Sequence, residues 1–410
     1  MAHLPTAKKD MYESDFRLAD EALRGGRVAQ TTNDREKQWG NWESYCRPLG
    51  VDPYLDPRTT RFKKKIRTLT GFAARTRTGY YGRGRQVAVG TVKPALTAIG
   101  QKIEMDSGTN PVKLAGSTDL LLPLQLMVKG WGKKDAPTNK KLPVEADVPE
   151  YMTAVGALDD ATELEKRVGN LALVAFYYLL RAGEYAVTGT KSSENQTTQF
   201  KVSDIAFFAR NEMGQLRQLP RKASDKALME AAGATLRLRD QKNGWENVCI
   251  HQQHNGNKYH CPVRALARII INIRAFTNNT DTYLATYRDK KVKNVTDKDM
   301  RKGIKMAASV LEYPAHKGIK VNQIDTHSFR AGGANALHMA GYLDRQIQKM
   351  GRWRSDTFKE YISDSLSTFS DGMSTAMKQK FNFVNIAGGT LTDVTTKAVA
   401  TQYTAHASAA

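Results

Sequence analysis

The sequence predicts a mainly α chain with a small β-sheet, arranged as a basic all-α module followed by a larger α+β part. Three observations carry this. Apolar and aromatic residues recur at helical spacing in both halves of the chain. Strand-like alternation gathers in a section after residue 200. A stretch with three prolines, alternating charge and few large apolar residues (KKDAPTNKKLPVEADVP) separates the two parts.

With 410 residues and 40% hydrophobic content, the chain can hold two or three domains with real cores. The formal net charge of +21 favours a polyanionic partner, either nucleic acid or an anionic membrane surface. The membrane reading is the weaker one. No apolar run approaches the roughly eighteen residues that a spanning helix needs, and mean hydropathy is −0.52. The N-terminal MAHLPTAKKDMYESDF lacks the apolar core of a secretory signal. Cys46, Cys249 and Cys261 have no disulfide-framework spacing and suit a reducing interior. Composition therefore predicts an intracellular, nucleic-acid-associated protein, nuclear if eukaryotic, with no membrane and no small-molecule substrate.

Residues 1–30 mix charge, Gly and Ala without periodicity and are expected as a flexible arm. From Thr31 a helix is predicted, with N-cap choices at Thr31 to Asp34, a Trp39–Trp42–Tyr45 stripe, and a stop at Pro48 and Gly50. The stripe reads as a helical core face more readily than as a base-stacking surface. Between Asp56 and Glu104 there is no acidic residue, while Arg58, Arg61, Lys63, Lys64, Lys65, Arg67, Arg75, Arg77, Arg83 and Arg85 accumulate. A solvated face normally intersperses acids, so this one-signed run with Gly79, Gly82 and Gly84 reads as a backbone-phosphate surface. Two more helices are predicted, from Gly90 and over Leu120 to Lys129. The module spans residues 31–132 and the linker residues 133–149.

In the C-terminal part, residues 150–370, Ala161 to Leu180 predict a buried helix ending on Arg181-Ala182-Gly183-Glu184. A lone Arg beside an apolar helix often only snorkels to solvent; Glu184, three residues on, is placed to orient it. KVSDIAFFA, ATLRLRD and ENVCIHQ predict strands, the last two joined by a turn carrying Lys242. Cys249, His251, His254, His260 and Cys261 lack the paired short spacings of a zinc site, and no metal or other cofactor is expected. Pro262 opens an amphipathic helix, and another is predicted over Gly303 to Glu312. His327 and Arg330 share a face at the start of the next helix, which closes at Gly341. A short helix follows from Asp344 and stops at Gly351-Arg352-Trp353, and Tyr361 sits in the next periodic segment. Residues 371–410 are expected as a flexible tail.

In this order, Arg181 with Glu184, the hairpin Lys242, His327-x-x-Arg330, Gly351-Arg352-Trp353 and Tyr361 resemble the tyrosine recombinase superfamily. The segments LLRAGEY, CPVRAL, THSFRAGGANAL and GRWRSDTFKEYI are similar to Crypton-type recombinases of eukaryotic mobile elements. The resemblance implies a SAM-like core-binding domain before the linker and a recombinase catalytic domain after it. It implies double-stranded DNA as partner, a homo-oligomer (tetrameric on DNA), and strand cleavage through a 3′-phosphotyrosyl bond without metal or ATP. Arg181, Lys242, His327, Arg330, Trp353 and Tyr361 would be the catalytic set, with Glu184 and Arg352 supporting. The family's His or Trp directly after the glycine falls here on Arg352, with Trp353 one residue later, so either of the two could face the phosphate. Two other readings remain: a domesticated, non-catalytic DNA-binding protein of the same fold, and a type IB topoisomerase-like enzyme that shares the chemistry but relaxes DNA without exchanging partners.

Overall fold

The computed structural model describes residues 5–25, 29–136, 141–188, 199–239, 247–353 and 355–360. These residues form a mainly α protein with a small antiparallel sheet. The tail over residues 371–410 lies outside them.

The N-terminal half contains α1 (Thr6–Gly25), α2 (Ala29–Cys46), α3 (Phe62–Arg77), α4 (Val89–Ser107) and α5 (Leu122–Gly132). Residues 1–30, expected as a flexible arm, include the helix α1, on which every side chain described is exposed. Helix α2 also begins before the Thr31 to Asp34 caps. The aromatic stripe behaves as a core face: Trp42 is fully buried and donates from Nε1 to the Pro53 carbonyl at 2.8 Å. Around it Leu69, Phe72, Leu96, Ile99 and Leu124 close one hydrophobic core.

A separate core organises the C-terminal half. Its elements are α6 (Asp147–Val155), α7 (Glu163–Tyr177), α8 (Ala182–Tyr185), β1 (Ile205–Arg210), β2 (Leu216–Gln218), α9 (Asp225–Met229), β3 (Gly233–Leu238), β4 (Val248–Gln253), α10 (Pro262–Arg274), β5 (Thr286–Asp289), β6 (Lys291–Asn294), α11 (Asp297–Val310), α12 (Tyr313–His316), α13 (His327–Met339) and α14 (Asp344–Gly351). Four strands pair antiparallel in the order β2-β1-β3-β4, and β5-β6 is a separate hairpin. The capping box of Thr162 and Glu165 starts α7, whose Leu171 to Ala175 stretch is fully buried.

Two features position the functional region. Helix α13 lies against α7 through Gly332 and Gly333. A Cβ on Gly332 would meet the Val144 carbonyl at 1.9 Å, and one on Gly333 the Phe176 carbonyl at 2.3 Å. Only glycine permits that approach. The second half of the predicted linker belongs to the fold: Val144 and Val148 are buried in the C-terminal core. Leu142 N donates to Gln323 O at 2.9 Å, and Val144 N to Ser328 O at 3.3 Å. Those bonds hold the entry to α13.

Candidate active site

The site begins with the way α7 ends. Leu180 N donates to Ala175 O at 2.9 Å and Leu179 N to Phe176 O at 3.3 Å, a Schellman turn that places Leu179 at φ 50°. Glycine is the usual occupant, and a side chain there costs about 1–2 kcal/mol. The Leu179 carbonyl receives two guanidinium groups, Arg330 Nη1 at 2.5 Å and Arg352 Nη2 at 3.1 Å.

Helix α14 ends in the same way. Trp353 N reaches Gln348 O at 3.0 Å and Arg352 N reaches Lys349 O at 3.2 Å, leaving Arg352 left-handed at φ 58°. Its side chain is wholly buried and pairs with the equally buried Glu184, Nη2 to Oε2, at 2.9 Å. Burial pushes the Arg352 pKa down and Glu184 pulls it back up. Its Nε and Nη1 have no hydrogen-bond partner among the described residues.

Glu184 is shared. Its Oε2 also accepts the Arg181 backbone N–H at 2.9 Å, and its Oε1 accepts Arg181 Nη1 at 3.2 Å. Arg181 remains partly open, whereas Arg330 is 2% exposed. A second arm of Arg330 donates to the Gly351 carbonyl, and its guanidinium lies 4.3 Å from the Trp353 ring centroid. Trp353 is buried against Leu179, Ala334, Ile347 and Phe358. A Cβ on Gly351 would fall 1.6 Å from Trp353 Cζ3, so glycine is required there.

His327 is the first residue of α13, one turn before Arg330, and opens to solvent. Desolvation of its ring, then the Arg330 charge, lower its pKa; Asp325 opposes this and Arg181 adds to it. Asp325 takes Arg301 Nε at 3.0 Å and Thr326 N at 2.7 Å. Burial disfavours its charge, but those bonds win and its pKa is lowered.

Of the predicted residues, Arg181, Glu184 and Arg352 are joined by direct hydrogen bonds, Arg330 lies against Trp353, the Leu179 carbonyl connects the two groups, and His327 is placed one turn before Arg330 on α13. Lys242 and Tyr361 lie outside the described residues. The hairpin expected to carry Lys242 is present on either side of it, with Leu238 paired to Val248. The Leu179 carbonyl was not anticipated, because nothing in LLRAGEY marks a backbone acceptor. The Arg301–Asp325 brace had a fainter signal in the acid two residues before His327.

On the basic module, Arg61, Lys63, Lys64, Arg67, Arg83 and Arg85 are exposed, and Lys65 is half-buried. Arg58 is exposed but chelated by Asp56, Nη2 to Oδ2, at 2.7 Å. The exposed Arg75 covers the Tyr45 and Tyr80 rings at 4.9 and 5.2 Å. Arg77 does not belong to this surface. It is buried, ion-paired with Asp135, and donates to the Val87 carbonyl at 2.6 Å. In the expected strand-and-turn segment, His251 Nδ1 bonds Thr235 Oγ1 at 2.8 Å and His254 Nδ1 accepts Gly256 N–H at 2.9 Å. Among the described residues no cluster of three or more His, Cys, Asp or Glu forms a metal site, and no helix is long and apolar enough to cross a membrane.

No protein-family profile and no curated protein matches this chain. Among solved structures it is similar to the Tn1549 transposon integrase in complex with circular intermediate DNA, at 10% identity and TM-score 0.41 over 83% of this chain and 99% of that one. It is also similar to the XerH site-specific recombinase bound to a palindromic difH substrate, at 13% identity and TM-score 0.44 over 78% and 72%. The XerA recombinase gives 14% identity and TM-score 0.35 over 88% and 97%.

Proposed function

We propose that the chain is a DNA strand-transfer enzyme of the tyrosine recombinase type, acting for a mobile element. The observation that carries this reading is the convergence of Arg181 and Arg330 on one buried frame, made of the Leu179 carbonyl at the end of α7 and Glu184 in α8, which Arg352 at the end of α14 joins. Two permanently charged forks held in place suit the non-bridging oxygens of a phosphodiester, where negative charge gathers in a pentavalent transition state.

In this proposal the Tyr361 oxygen attacks phosphorus and the bond from phosphorus to the 5′ oxygen breaks. Lys242 gives that oxygen its proton. A phenol with a usual pKa of about 10 needs a proton acceptor, and a neutral His327 can serve as one. The product is a 3′-phosphotyrosyl bond and a free 5′ hydroxyl. The new ester keeps the phosphodiester's energy, so the reverse attack by a 5′ hydroxyl reseals DNA without ATP. Trp353 supports Arg330 from its face. The exposed cations around Lys63 and Lys64 would hold the duplex backbone, and assembly as a tetramer on DNA would bring strands together for exchange.

The test is incubation with duplexes from the DNA flanking its coding sequence, nicked so that cleavage cannot be reversed. A protein–DNA adduct that survives denaturant is expected. Binding of the same duplexes with no adduct from the wild-type chain would instead assign a non-catalytic DNA-binding protein. Relaxation of supercoiled plasmid without exchange of partners would assign a topoisomerase-like enzyme.

A further inference from the structure

We propose that Arg352 is a positioning residue of the phosphate clamp: it does not meet the DNA, but fixes Arg181 and Arg330 through Glu184 and the Leu179 carbonyl. This rests on the strand-transfer reading of the same site.

Four observations support it. Arg352 is fully buried, without the partial exposure that leaves Arg181 open to solvent. A single nitrogen, Nη2, spans Glu184 Oε2 at 2.9 Å and Leu179 O at 3.1 Å. Each acceptor in turn holds one clamp arginine: Glu184 takes Arg181, and Leu179 O takes Arg330. One acceptor group therefore separates Arg352 from each: the Glu184 carboxylate, which takes the Arg181 guanidinium on its other oxygen, and the Leu179 carbonyl oxygen, which Arg330 shares. Third, the backbone at Arg352 is left-handed, where glycine would be unstrained; that conformation directs this side chain inward. Fourth, among the described residues Nε and Nη1 have no hydrogen-bond partner, although a residue chosen only for stability would satisfy its buried donors.

A neutral side chain at this place would leave Glu184 with one guanidinium. The carboxylate could then draw Arg181 inward, away from the DNA. Lysine offers a point charge that can reach Glu184 but not bridge to Leu179 with fork geometry.

The experiment compares wild type, Arg352→Lys, Arg352→Met, Glu184→Gln and the charge-neutral pair Arg352→Met with Glu184→Gln, which keeps the site testable if the single Arg352 change fails to fold. Each is measured for duplex dissociation constant, for single-turnover adduct rate at saturating DNA, and for unfolding in denaturant. The expected result is a dissociation constant within about threefold of wild type and an adduct rate about 100-fold lower in Arg352→Met, the range of a lost positioning contact. Arg352→Lys should recover part of that rate. The double change should lower the rate no further than the worse single change, because both act through one pair. A dissociation constant that weakens in step with the rate, or multiplicative losses in the double change, would overturn the proposal. If the wild-type chain forms no adduct, the strand-transfer reading fails separately. The unfolding cycle of Arg352→Met with Arg181→Met then decides the positioning claim, since absence of coupling between the two contradicts it.

Discussion

Leu179 and Arg352 are the left-handed residues that close α7 and α14, and Arg352 Nη2 donates to the Leu179 carbonyl at 3.1 Å. Two helix caps of the same kind thus meet at one hydrogen bond, and Arg330 shares its acceptor. Neither position is glycine, so both turns hold backbone strain at the place where the arginines gather.

That strain makes a stability prediction. Arg352→Gly and Arg352→Ala both lose the Glu184 pair, but glycine also releases the left-handed backbone. Arg352→Gly should be the more stable of the two by about 1 kcal/mol in chemical denaturation. Equal stability would mean that the turn relaxes around alanine.

Gly351 lies under the Trp353 ring. Gly351→Ala forces its new methyl into Cζ3, so Trp353 has to leave the Arg330 guanidinium or α14 has to shift. A loss of about 1–3 kcal/mol is expected, with a fall in adduct rate. Unchanged unfolding would contradict the packing described.

The lowered pKa of His327 fixes the sign of a pH effect. Its neutral form is favoured in the fold, so the unfolded chain takes up a proton first as pH falls. Stability from this group is present above the unfolded pKa of about 6.5 and is lost progressively as pH drops through the folded value. His251 and His254 are also lowered, chiefly by desolvation, and share the trend. His327→Gln should therefore flatten part of the decline in unfolding midpoint between pH 7.5 and 5. An identical slope in both proteins would remove His327 from the account.

The basic module separates binding from folding. Neutralising Lys63 and Lys64 should weaken DNA binding similarly across sequences and reduce the slope of log K against log salt by about one per lost phosphate contact. Arg77→Met should lower the melting temperature and leave that slope unchanged, because Arg77 serves Asp135 and Val87. A lost phosphate contact in Arg77→Met would reverse this assignment.

Much of the architecture was legible in the chain. The α7 segment announced itself by its apolar run, the β3 and β4 strands by alternation, and α13 by His327 and Arg330 followed by Gly341. Hairpin β5-β6 was not legible, because KVKN is exposed and charged and has no apolar face to mark it. Helix α1 was hidden for a similar reason: no described side chain on it is buried. In the site, Arg181, Glu184 and Arg330 could be singled out by residue type and spacing. The shared acceptor at Leu179 could not, since a carbonyl has no letter in the sequence. The different surroundings of Arg352 and Trp353 could not be read either: both side chains are buried, one against Glu184 and the other against Arg330.

The central claim is tested most directly by trapping the chain on a nicked duplex, digesting the adduct with protease and nuclease, and locating the nucleotide mass by mass spectrometry. The account predicts that the peptide containing Tyr361 carries a 3′-phosphate-linked nucleotide and that Tyr361→Phe yields none. A nucleotide on any other residue, or an adduct that persists in Tyr361→Phe, would contradict it.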